Sequence, residues 1–171
     1  MAETKSQDAI ALLKEQHDEA KKLFKEFEEA KGDGRKQKLA HEICLGLSVH
    51  FQLEEEIFYP ACEGTVDEDE LKEGYVEHDA AKLLVAEIEA AEDGAADDFF
   101  DTKVHVLQEE IEHHIKEEEG PGGIFSQARK GKLDLDALGE QLAQKTKELK
   151  QRFKTDGLPT PKLKTMDEVS V

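Results

Sequence analysis

The chain has no tryptophan, two cysteines and four prolines in 171 residues, and its 23 Lys and Arg are far outnumbered by 41 Asp and Glu. Each shortage narrows the function. A formal net charge of −18 repels nucleic acid and anionic membrane over most of the surface, so neither is expected as a partner. Cys44 and Cys62 have no CxxC or Cys/His spacing, and without an apolar leader they read as reduced thiols in the cytoplasm. The start, MAETKSQDA, is too polar and acidic for a signal or transit peptide. No apolar run approaches the roughly 20 residues of a membrane span.

The length suits one domain with a real core. Breaks are scarce before residue 120, the strongest being GDG at 32–34, Pro60 with Gly64, and Gly94. They leave four segments of similar length, each with apolar residues at steps of three and four, the helical period. The fold expected is all-α: an antiparallel up-down-up-down four-helix bundle over residues 1–125. Leu135, Leu138, Leu142, Leu149 and Phe153 share one further helical stripe, so residues 126–154 predict an additional C-terminal helix packed on the bundle or on a protein partner. Residues 155–171, with two prolines and little periodicity, read as a flexible tail.

Histidines interrupt the apolar stripes. Val104, Leu107 and Ile111 extend in the same rhythm to His114 and Glu118, while His113 falls about 100° away on an acidic face. His17 lies between Leu13 and Ala20, His50 and Glu54 share a row with Ile43, Leu47 and Ile57, and His78 follows Leu71 and Tyr75. His41 and His105 sit among polar neighbours and read as surface residues. Counting from the turns, His17 is 15 residues from Gly32, His50 is 16 from Gly34 and His78 is 16 from Gly94. Glu54 and His114 lie 20 from their turns and Tyr75 lies 19, roughly 6 Å deeper at ~1.5 Å per residue. Two layers, one turn apart, are therefore expected.

Burying Glu54 and Glu118 as unpaired anions would cost several kcal/mol each. Lys82 is the only basic residue near that slab, and one lysine cannot balance two carboxylates and four imidazoles. Metal can. His17, His50, Glu54, His78, His114 and Glu118 are the expected ligands, an N/O set without thiolate that suits iron or manganese, with zinc a lesser fit. Six groups leave two six-coordinate ions with open positions for a small ligand.

The motifs around His17 (LLKEQHDEAKKLFKEFE), His50 (HFQLEEEIFYP), His78 (EHDAAKLL) and His114 (HHIKEEE) together resemble the hemerythrin-like family with the HHE cation-binding domain. The resemblance implies two non-haem iron ions bridged by carboxylates and an oxo or hydroxo group, and a site that binds or reacts with O2, peroxide or NO. Oxygen-carrying members have HxxxH on the third helix; here Lys82 holds the second place, which speaks against reversible oxygen carriage. Its ammonium either favours anionic ligands at the open position or snorkels outward. The carriers place their fourth-helix acid five residues after its histidine, which selects Glu119, whereas the stripe here favours Glu118. Tyr75 either fills a vacancy or packs in the core. Peroxide-reducing or catalase-like activity stands beside the alternative of an iron- or oxygen-responsive sensor without turnover.

Overall fold

The computed structural model describes residues 6–167, and among these there is no strand. Helix α1 (Ala9–Glu29) starts at Asp8, whose side chain accepts from the Ala11 amide at 2.8 Å. Helix α2 (Asp33–Leu53) runs without interruption through a π-helical turn, Glu54–Phe58, into a last turn, α3 (Tyr59–Cys62). Helix α4 (Glu68–Glu89) is capped by Asp67, and α5 (Phe100–Glu119) follows a 3-10 turn at Gly94–Ala96. A short α6 (Ile124–Lys130) and a long α7 (Leu135–Asp156), capped by Asp134, complete the chain.

Helices α1, α2, α4 and α5 pack in a ring, each against the next, which is the expected four-helix bundle. Pro60 does not end its helix. It lacks the N–H that an α-helix needs there, and the π-helical turn before it absorbs the missing bond, with the Tyr59 amide reaching back to the Glu54 carbonyl. The inserted residue also rotates the stripe. Phe58 and Tyr59 take the buried positions, and Ile57, expected in the inward row, is only half-buried.

Two apolar clusters flank the histidines. One, with Phe24, Ile43, Phe100 and Leu107, lies toward the turns at Gly32 and Gly94; the other, with Leu13, Leu53, Phe58 and Phe125, lies at the opposite end. Helix α7 closes that second cluster by laying Leu142, Leu149 and Phe153 against α1 and α2. Its apolar face is thus covered by the bundle itself. Short α6, absent from the sequence reading, crosses the expected boundary at residue 125 and seats Phe125 beside His17.

The tail departs from its flexible expectation. The amides of Lys164, Thr165 and Met166 and the Thr165 hydroxyl all donate to the buried Asp79 carboxylate on α4, and Lys82 donates to the Lys162 carbonyl. Prolines keep this stretch from forming a helix, but a remote carboxylate still orders it. The tail's last four residues, 168–171, lie outside the described residues.

Candidate metal centre

The four helices bring His17, His50, His78, His114, Glu54 and Glu118 to one place, all buried. Nε2 of His17 lies 3.1 Å from Nε2 of His50, and Nε2 of His78 lies 3.1 Å from Nε2 of His114. The two expected layers have merged. Side chains tilt toward the N-terminus of their own helix, so on antiparallel α4 and α5 His78 and His114 lean toward each other and close the offset.

The carboxylates lie across both pairs. Glu54 turns Oε1 to His50 at 3.1 Å and Oε2 to His78 at 3.1 Å, with His114 at 3.8 Å from the same oxygen. Glu118 turns Oε2 to His17 at 3.2 Å and Oε1 to His114 at 3.4 Å. Their nitrogen and oxygen atoms form two overlapping groups that could each hold a metal ion: His17, His50, Glu54 and Glu118, and Glu54, His78 and His114.

The far side of every imidazole is held by an acceptor from the preceding helix of the ring. His50 Nδ1 donates to Gln16 of α1 at 2.7 Å, His78 Nδ1 to Glu55 at 3.1 Å, His114 Nδ1 to Glu77 of α4 at 3.0 Å, and His17 Nδ1 to Glu119 of α5 at 2.7 Å. Oxygen atoms of carboxylates and amides only accept, so each Nδ1 carries a proton and each Nε2 directs its remaining valence inward. This is the outer hydrogen-bonding that orients histidines for metal.

By themselves the protein's groups balance with protons. Burial pulls the His17 imidazole down, but hydrogen bonds to Glu118 and Glu119 and the charges of Glu118 and Glu54 lift it to about 9. His114 is likewise opposed by burial and raised well above the usual range by Glu118 and Glu54, while burial keeps His50 low. Burial and the Glu54 charge push Glu118 up, yet His114 and His17 hold it at about 2. Glu54 is held well below the carboxylate range by His50, His114 and His78 against its burial. Even so, both Glu54 oxygens and Oε2 of Glu118 are buried without a hydrogen-bond partner. Orphaned carboxylate oxygens facing convergent imidazole nitrogens are a donor set for cations.

Tyr59 is the neighbour that the sequence reading missed. Its hydroxyl donates to Glu118 Oε1 at 2.5 Å, and its ring stacks on His78 at 5.4 Å and 15°. The π-helical turn puts it there, five residues after Glu54, off the four-residue stripe. Gly74 on α4 makes the room, since a Cβ at that position would stand 2.7 Å from the Tyr59 oxygen. Tyr75 instead packs its half-buried ring edge-on against Tyr59 at 5.2 Å. Lys82 does not face the centre: Glu55 stands between, 2.8 Å from the ammonium and 3.1 Å from His78 Nδ1. Glu118 faces inward and Glu119 orients His17. His41, His105 and His113 are exposed beside Glu89, Glu109 and Glu117.

The profile of the hemerythrin HHE cation binding domain matches residues 8–121, which include all six converging groups. The chain belongs to the hemerythrin HHE family. A family member of this kind has a metal cation site with His and Glu ligands, and the cluster is compatible with one. The fold is similar to the crystal structure of a hemerythrin HHE cation binding domain-containing protein from Mycobacterium kansasii, with a TM-score of 0.73 and 21% identity over 88% of this chain and 94% of that one. No curated protein matches the chain.

Proposed function

We propose that this HHE protein holds two iron ions and binds or reacts with O2, peroxide or NO. His17 and His50 would hold one ion and His78 and His114 the other, and Glu54 and Glu118 would serve both. The observation that carries this reading is the placement of each carboxylate, one oxygen toward each histidine pair. Imidazole and carboxylate donors without thiolate suit iron, and adjacent ions supply two electrons to a small ligand. The protein's own part is to fix the imidazoles through Gln16, Glu55, Glu77 and Glu119, to limit their exposure by burial, and to hold a proton on Tyr59 Oη beside Glu118. That hydroxyl keeps its proton, because burial and the Glu118 charge push it well above the ordinary phenol range.

We read the protein as cytoplasmic. Cys44 and Cys62 are free and buried, and no helix among the described residues is long and apolar enough to cross a membrane. Metal analysis of protein purified without added metal, with its absorption spectrum, tests the assignment. About two irons per chain with near-ultraviolet bands are expected for two shared ions. Stoichiometric zinc in a colourless protein overturns it.

A further inference from the structure

Two openings reach the centre, and they differ in chemistry. The smaller, about 280 Å³, touches His114 and Glu118 and is lined by Glu70, Glu77 and Glu117, which outweigh Lys116 in the same lining, so it disfavours anions. The larger, about 570 Å³, ends on His17, His50 and His114 and has Leu23, Leu47, Ile111 and Ile115 in its walls. A two-atom ligand needs about the space of one or two waters, roughly 30–60 Å³. The larger cleft has the size of pockets that take organic ligands, roughly 300–1,000 Å³.

One residue of its lining is one that the helix itself does not favour. Gly46 lies inside α2, where glycine is destabilising relative to alanine, and a Cβ there would meet nothing within 4 Å. No close packing demands a glycine at this point; the open space it borders is the cleft. At the mouth stand Lys150 and Lys154, one turn apart on α7, neither in an ion pair among the described residues, with Lys150 half-buried. Glu19 and Glu42 stand exposed on the α1 and α2 rims of the same mouth.

From these features we infer that the cleft binds an aliphatic monocarboxylate, a medium-chain fatty acid, with its chain along the apolar walls and its carboxylate at Lys150 and Lys154. The Lys150 ammonium supplies the charge partner, and the alkyl end abuts the histidines. The inference deepens the two-iron reading by naming an organic ligand whose inner end adjoins that centre.

Fluorescence titration with cis-parinarate, a polyene fatty acid, tests it on the full chain as purified, with metal content measured on the same sample. Saturable binding that decanoate displaces better than decanol is expected. Gly46→Leu fills the cleft with a better helix former and should weaken the probe about tenfold or more, and Lys150→Met about two- to fivefold, a range set by one ion pair. Both variants should keep wild-type metal content and helicity. Absence of saturable binding, equal displacement by decanol, or unchanged affinity in Gly46→Leu overturns the inference. Probe binding that Gly46→Leu abolishes in a protein without iron supports the cleft and overturns the two-iron reading; two irons with no probe binding do the reverse.

Discussion

The Glu119 carboxylate accepts a 2.7 Å hydrogen bond from Nδ1 of His17, 102 residues earlier in the chain, and so joins the end of α5 to the middle of α1. It closes a ring: Gln16 serves His50, Glu55 serves His78, Glu77 serves His114 and Glu119 serves His17. In each case the residue beside one of the six converging groups in sequence orients a histidine of the next helix. Glu119→Ala should therefore weaken metal binding about 10- to 100-fold, whereas Glu119→Gln, which keeps an acceptor oxygen, should cost far less. Competition with a chelator of known affinity measures both, and equal losses in the two variants would contradict an orienting role.

Metal content separates the adjacent histidines. His114 is buried with Nε2 directed at Glu54 and Glu118, while His113 is exposed beside Glu117. His114→Ala should halve or abolish bound metal and His113→Ala should leave it nearly unchanged, as read by elemental analysis.

On the proposed ligand assignment, protons and metal compete for the same nitrogens, which sets the pH dependence. His17 is raised to about 9 and His114 also lies above its ordinary value, so both carry protons near neutrality that metal must displace. Apparent affinity should then rise with pH, by about tenfold per unit for each proton released. For chelator-treated protein the sign reverses. A histidine with a raised folded pKa contributes stability that is complete below about 6.5 and lost as pH rises through about 9. Thermal unfolding should show the chelated protein losing stability between those values and the loaded protein keeping it.

Tyr59 and Gly74 form a testable pair. Tyr59→Phe removes the hydroxyl donated to Glu118 and should cost about 1.5–3 kcal/mol, the range for a bond to a charged group. Gly74→Ala drives a Cβ toward the Tyr59 oxygen and should cost about 1–3 kcal/mol. Because the clash is partly with that oxygen, the alanine should cost less in the Tyr59→Phe background. Additive losses in a double-mutant cycle by urea unfolding would show that the two sites do not meet.

Asp79 governs the C-terminal stretch. Four hydrogen-bond donors from residues 164–166 end on its carboxylate, so Asp79→Ala should free them all. Hydrogen exchange at residues 162–166 should approach unprotected rates in that variant while the bundle helices keep wild-type protection.

The all-α bundle and the inward face of each helix were legible in the sequence, because helical periodicity is local and one buried stripe forces the same phase on every residue along it. That phase put His114 and Glu118 on one side and His113 on the other. The same local argument failed after Glu54, where the π-helical turn shifted the register and brought in Tyr59. Pro60 was the visible sign of that shift, but a proline does not say whether its helix ends or inserts a residue. The pairing of the histidines, the cross-helix acceptors, the Glu55 carboxylate between Lys82 and His78, and the anchoring of residues 164–166 on Asp79 depended on which helices adjoin and how far their side chains reach. Those contacts join residues 23 to 102 positions apart, and no periodicity within a segment encodes them; only the packed bundle does.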